Sequence, residues 1–177
     1  MTVIFVGGVH GVGKSTCCGQ VAQLAGCLHF AASEIIRRER AQAIASAGKL
    51  VADVDGNQRL LIRGFRTLRQ EAGTTPILLD GHFAMRDGLG DIQPVSVDVF
   101  RSLEIDRVVC LVDDASAIAV RIRQRDGAAP AHREIADLQD AELRHSRLVA
   151  AALAVPFTLL QGGDVESFIR HVLPRKA

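Results

Sequence analysis

Val3-Ile4-Phe5-Val6-Gly7-Gly8-Val9-His10-Gly11-Val12-Gly13-Lys14-Ser15-Thr16 joins an apolar run to the pattern G-x-x-x-x-G-K-[ST]. The run Val3–Val6 has the β-branched, uninterrupted character of a strand buried on both faces. The pattern after it is that of a P-loop, whose backbone N–H groups converge on phosphate oxygens. Such convergence requires a bare, tightly turned chain, which Gly8, Gly11 and Gly13 permit. A helix opening near Lys14 turns its positive dipole end toward the same anion. In this context Lys14 reaches the β- and γ-phosphates and the Ser15 hydroxyl ligates Mg²⁺. The stretch therefore predicts a nucleoside triphosphate site formed by Gly8, Gly11, Val12, Gly13, Lys14, Ser15 and Thr16.

Working outward, the 177 residues form one expected domain, 1–177, with 48% hydrophobic and 23% charged residues, an ordinary globular balance. The net charge of +1 creates no global field toward nucleic acid or membranes. Aromatic residues make up 4%, without Trp or Tyr, so no base-stacking platform is expected. No apolar run reaches the ~20 residues of a membrane span, and the start of the chain reads as a strand, not a signal peptide. Cys17, Cys18, Cys27 and Cys110 lack metal-ligand spacing, and their apolar neighbours suggest small core residues in a reducing, cytoplasmic compartment.

Apolar runs alternate with helical patterns, which implies βαβ units and a five-stranded parallel sheet within a three-layer αβα sandwich. Strands are expected near Val3–Val6, Leu28–Phe30, Ile77–Asp80, Val108–Val112 and Pro156–Leu160. Helices are expected near Lys14–Ala25, Ser33–Ala47, Asn57–Ala72, Val95–Leu103, Ala115–Arg125, His132–Ala154 and Val165–Val172. Ser33 and Asp114 are candidate N-caps, and Gly48 and Gly73 sit where C-terminal glycines are common. Arg86–Pro94 reads as a surface loop. So does Asp126–His132, which is flanked by arginines and is a candidate short lid.

Ile77-Leu78-Leu79-Asp80 is a buried-strand run ending in a carboxylate. Ligands of open parallel sheets bind at the carboxyl ends of strands, so Asp80 is placed to share Mg²⁺ with Ser15. Asp113 and Asp114, after the next strand, are the alternative carboxylates.

Further segments carry a family resemblance. Ala32-Ser33-Glu34-Ile35-Ile36-Arg37 is similar to T-G-D-x-L-R, and Asp53-Val54-Asp55-Gly56-Asn57-Gln58-Arg59 to D-x-D-x-Q. Asp80-Gly81-His82 is similar to D-x-H, and Arg121-Ile122-Arg123-Gln124-Arg125 to R-I-x-x-R, with Arg133 and Arg144 following eleven apart. In this order the chain resembles the adenylate kinases and related nucleoside monophosphate kinases, above all their short archaeal-type branch. The resemblance implies ATP as donor and a nucleoside monophosphate as acceptor. It implies an acceptor region over 32–73, where Ser33 and Arg37 hold the acceptor and Arg37 its phosphate. It also implies a lid region over 121–147. There Arg121 lies on the donor base, Arg125 on its phosphates, and Arg133 with Arg144 closes over the transferred group. Arg147, one turn beyond Arg144, competes for that last role.

Transfer between phosphates is positioning plus charge neutralisation, because the acceptor is already an oxyanion. His82 departs from that inventory. In relatives with D-x-H this histidine is associated with orienting water for ATP hydrolysis. Arg86 is displaced from the arginine position of larger relatives. His10 reads as a spacer or substrate-side contact, and His132 and His145 as surface residues. Three functions stay open: a nucleoside monophosphate kinase, a P-loop kinase of another small hydroxylated substrate, and an ATP-hydrolysing switch with a macromolecular partner. Guanine switches are disfavoured by the missing [NT]-K-x-D, and larger ATPase machines by length. Oligomeric state is not encoded in any readable segment.

Overall fold

The computed structural model describes residues 1–47 and 54–173. Its elements alternate as β1 (Val3–Gly7), α1 (Lys14–Ala25), β2 (Leu28–Ala31), α2 (Ala32–Ala47), α3 (Val54–Ala72), β3 (Ile77–Asp80), β4 (Ala84–Arg86), β5 (Ile92–Pro94), α4 (Val97–Ser102), β6 (Arg107–Val112), α5 (Ala115–Asp126), α6 (His132–Leu153), β7 (Phe157–Gln161) and α7 (Val165–Val172). Five strands form the expected parallel sheet, in the order β2-β3-β1-β6-β7. β1 lies in the middle, pairing Val6 with Asp80 on one side and Gly7 with Cys110 on the other. This register brings the P-loop, Asp80 and the β6 end to one edge of the sheet.

Both sheet faces are covered, which is why β1 and β3 read as continuous apolar runs rather than alternating ones. On one face Val3, Phe5, Ile77 and Leu79 pack with Phe65 of α3, Phe100 of α4 and Val149 of α6. On the other, Ile4, Val6 and Leu78 meet Cys17 and Val21 of α1, Ile118 of α5 and Phe168 of α7. The three-layer αβα sandwich is thus observed. Cys17, Cys18 and Cys110 are buried free thiols, as their neighbours suggested.

Several local expectations are corrected. Arg86–Pro94 is not a plain loop: β4 and β5 form an antiparallel hairpin, with Met85 opposite Gln93. Three-residue strands are too short for alternation to register in sequence. Asp87 closes the turn by accepting from the N–H groups of Leu89 and Asp91, and the Arg86 guanidinium donates to the carbonyls of Gly90 and Glu134. Ser33 is no N-cap, because α2 starts at Ala32 directly from β2 and leaves Ser33 in its first turn. α4 starts at Val97 rather than Val95, capped by Ser96. Asp114 does cap α5, accepting from the N–H groups of Ser116 and Ala117. His145 is half-buried, not a surface residue: its Nε2 lies 2.6 Å from the Val95 carbonyl. Gly48 and Asp53 lie outside the described residues. No helix among those described is long and apolar enough to cross a membrane.

Candidate active site

The P-loop turns through Gly8, Gly11 and Gly13, all at positive φ. At Gly8 a Cβ would lie 2.5 Å from the Leu111 carbonyl oxygen, so β6 itself forbids a side chain there. Gly13 is the N-cap of α1 and supplies no side-chain cap. The first-turn N–H groups of Lys14, Ser15 and Thr16 therefore have no intrahelical acceptor and are available to an anion. Space around Gly13 is open: a Cβ there would meet nothing within 4 Å. Lys14 is buried, and its Nζ donates to the carbonyls of Gly8 at 2.6 Å and Val9 at 3.1 Å. Burial lowers its pKa, against the raising influence of Glu142 and Asp80. An uncapped helix start, an open glycine and a desolvated ammonium fit a bound polyphosphate. Ser15 is exposed at the same helix start.

Asp80 ends β3 beside the loop and is 6% exposed. Its Oδ2 lies 2.6 Å from His29 Nε2 on β2, a partner that sequence reading did not supply. Cys18 of α1 completes a cluster in which the potential ligand atoms of Cys18, His29 and Asp80 lie within 4.8 Å of one another. Magnesium selects oxygen, so for that ion the fitting donors are the Asp80 carboxylate and Ser15. Burial holds the Cys18 thiol far above its ordinary pKa, with the Asp80 charge adding to the effect.

His82 is not alone. Its Nδ1 lies 2.7 Å from Oε1 of Glu142, a carboxylate on α6 that is 0% exposed. The other oxygen of Glu142 accepts from the N–H groups of Phe83, at 2.6 Å, and Ala84, at 3.3 Å. Sequence reading missed Glu142. The available signal was its place on the apolar stripe of α6, in line with the buried Ile135, Ser146 and Val149.

The arginines divide. Arg121 does not stand free: its Nε donates to the Gly11 carbonyl at 2.8 Å and its guanidinium pairs with Asp113 at 2.5 Å. Asp113 also accepts from Gln161 at 2.6 Å. Burial alone would raise the Asp113 pKa, but hydrogen bonds from Arg121, the Asp114 N–H and Gln161 bring it below its ordinary value. With these partners Asp113 is a strut, and its carboxylate is committed away from a metal. Arg125 forks onto Asp126, and Asp126 lies 3.6 Å from His10 of the P-loop. Arg133 is almost fully exposed, 3.9 Å from Asp137. Arg144 lines a depression with Ala84, Ile92 and Pro94 on the hairpin side of α6. Arg147 lies over the Phe157 ring at 5.7 Å, beside the amino end of β7, while the P-loop is at the carboxyl ends. The structure thus gathers Arg121 and Arg125 near the loop and leaves Arg144 and Arg147 along α6.

Between β3, α2, α3 and α4 lies a cavity of about 180 Å³. Ser33, Asn57, Gln58, Asp80 and His82 supply its polar wall, and Phe5, Ile36, Leu61, Val99, Phe100 and Leu103 most of the rest. Arg37 is exposed on α2 and does not line it. One turn on, Arg40 donates to Asn57 Oδ1, and its Nε is buried without a hydrogen-bond partner among the described residues.

Among curated proteins none matches the chain. A gluconokinase from Sinorhizobium meliloti 1021 is a similar solved structure, with a TM-score of 0.54 at 15% identity, over 96% of this chain and 87% of that one. At that identity the likeness concerns the fold, the layered P-loop architecture described above. A family model described as an AAA domain matches residues 7–141, from the end of β1 through the P-loop and Asp80 into α6. By that match the chain belongs to the AAA domain family of P-loop proteins.

Proposed function

We propose that the chain is an ATP-dependent phosphotransferase that moves the γ-phosphoryl of Mg-ATP to a small acceptor. The observation that carries this reading is the cavity at the carboxyl end of β3, with Asp80 and His82 in its wall, on the strand next to the one that leads into the P-loop. A hydrolytic switch needs a triphosphate site alone, whereas a transferase needs two adjoining sites. Bound Mg²⁺ would neutralise developing charge on the phosphates, held by Ser15 and Asp80. Lys14 would carry the same charge from the loop side, and Arg125 would join it from the end of α5. Arg133 would reach the transferred group through movement of the 127–131 segment.

The resemblance assigns a nucleoside monophosphate as the acceptor, with Ser33 and Arg37 holding it. A second reading, a hydroxylated small molecule, is favoured by the lining itself, which includes no Lys or Arg among the described residues. The gluconokinase likeness is compatible with that reading.

The test is incubation with Mg-ATP and a panel of nucleoside monophosphates and small alcohols, measuring ADP and phosphorylated product. Acceptor-dependent ADP formation is the expected result. Phosphate release that no acceptor alters would sink the transferase reading in favour of a hydrolytic switch.

A further inference from the structure

Glu142 is 0% exposed, and every hydrogen bond its carboxylate makes among the described residues is to the segment 82–84, where His82 lines the acceptor cavity. Burying a carboxylate is costly unless its oxygens are satisfied, and here each has a partner. Oε2 is claimed by two backbone donors, the N–H groups of Phe83 and Ala84 at 2.6 and 3.3 Å. Oε1 then stands 2.7 Å from His82 Nδ1. An ionised carboxylate can only accept, so Nδ1 must carry the proton. In a neutral imidazole the other nitrogen, Nε2, is then an acceptor. His82 lines the cavity, and its side chain is 30% exposed.

We propose that Glu142 is the positioning residue of His82, holding it in the tautomer whose Nε2 accepts, and that the group received there is a hydroxyl rather than a phosphate. This rests on the transferase reading and names its acceptor class. A phosphate oxyanion would set lone pairs against the lone pair of Nε2, whereas a hydroxyl donates to it. In the transfer the hydroxyl oxygen forms a bond to the γ-phosphorus. The bond from that phosphorus to the bridging oxygen breaks, and its electron pair leaves on ADP. The hydroxyl proton passes to Nε2, and the resulting imidazolium faces the Glu142 carboxylate.

Glu142→Gln tests this sharply. The two backbone N–H groups at the Oε2 position still demand an acceptor, so the amide oxygen must go there. The amide NH₂ then faces Nδ1, which has to become the acceptor, and the proton moves to Nε2. Long-range ¹⁵N–¹H NMR of the imidazoles, with His82 assigned by its loss in His82→Gln, should show Nδ1–H in the wild type and Nε2–H in Glu142→Gln. An Nε2–H form in the wild type overturns the proposal. That measurement also decides the matter if the Gln variant fails to fold.

Kinetics use adenosine and AMP as probes of one body with two end groups, with γ-labelled Mg-ATP and water as the competing acceptor. Transfer of label to adenosine or to water should fall about a hundredfold in both Glu142→Gln and His82→Gln, the scale of general acid–base assistance, with the KM for ATP unchanged. The double variant should be no slower than His82→Gln alone, because Glu142 acts through His82. Transfer to the phosphate of AMP at a rate that Glu142→Gln leaves intact overturns the hydroxyl assignment. A Glu142→Gln loss that repeats in full in the His82→Gln background overturns the positioning role. If label reaches only water, the transferase reading fails, while the tautomer reversal still decides the role of Glu142.

Discussion

Arg121 and Gly11 are joined directly: the Arg121 Nε donates to the Gly11 carbonyl at 2.8 Å, across 110 residues of chain. The same guanidinium pairs with Asp113, so α5, the β6 end and the P-loop form one strut. The side chain expected on a nucleotide base is bonded here to the P-loop backbone. Arg121→Ala should raise the KM for ATP about tenfold, one order of magnitude corresponding to about 1.4 kcal/mol. Because the pair is partly exposed, its loss should cost only about 1 kcal/mol of stability, or roughly 2–4 °C in Tm by calorimetry. A KM within twofold of wild type would detach the strut from nucleotide binding.

The partner Asp113 makes a pH prediction. Its folded-state pKa lies below the ordinary 3.8, as hydrogen bonds from Arg121, the Asp114 N–H and Gln161 outweigh the opposing effect of burial. A carboxylate depressed on folding contributes stability above its unfolded pKa and loses it as pH falls through the folded value. Asp113→Asn should therefore be less stable than wild type at neutral pH. Denaturant titrations should show the two curves converging below about pH 4, around and under the ordinary carboxylate value. Curves that stay parallel to lower pH would refute the assignment.

Lys14 separates stability from function. Its ammonium is buried against loop carbonyls at a desolvation cost, and the phosphate charge it would neutralise is that of a ligand. Lys14→Met should lose at least a hundredfold in turnover while its Tm without nucleotide stays equal or rises. Near-normal turnover in that variant would make the P-loop reading wrong.

Gly7 lies outside the P-loop pattern yet admits no side chain. A Cβ there would meet Phe83 at 2.2 Å, within the Phe5–Phe83–Phe100 cluster whose ring centroids are 4.9 to 5.2 Å apart. Gly7→Ala should cost about 1–3 kcal/mol, the range for overpacking a filled core. Since the Phe83 N–H also binds Glu142, activity should fall with stability, and Phe83→Leu should restore part of both. A fully stable Gly7→Ala would show that Phe83 can move freely.

Arg125, Arg144 and Arg147 give a comparison in one assay. Arg125 stands near the loop through Asp126 and His10, whereas Arg144 lies on α6 facing the β4–β5 hairpin and Arg147 over Phe157. Arg125→Ala should lower kcat at least tenfold, while Arg144→Ala and Arg147→Ala stay within about threefold of wild type, surface changes being mild. A tenfold loss in either α6 variant would assign that arginine to the lid.

The legible parts were those whose signal is local. The P-loop is legible because four fixed positions within eight consecutive residues, Gly8, Gly13, Lys14 and Ser15, each satisfy a backbone or side-chain requirement. The three central strands, β1, β3 and β6, are legible because burial on both faces leaves nearly uninterrupted apolar runs. The β4–β5 hairpin was illegible because its strands are three residues long, too short for alternation to register. The early start of α2 at Ala32 was illegible because β2 passes into it without a linker, so no cap or turn residue marks the boundary. Arg121 shows the limit for side chains: an arginine in a suggestive motif has the same sequence signature whether it meets a ligand or a carbonyl of its own chain.

By itself the sequence determined the layered parallel fold and a phosphate-binding loop at the end of its first strand, because glycine permissiveness, apolar runs and helix starts are properties of neighbouring residues. Tertiary structure alone decided the partners: His29 for Asp80, Glu142 for His82, Gly11 and Asp113 for Arg121, and a largely apolar cavity at the carboxyl end of β3. Those pairings join residues 8 to 110 positions apart, and a hydrogen bond 2.5 to 2.8 Å long depends on sheet register and helix packing, which no short window of sequence contains.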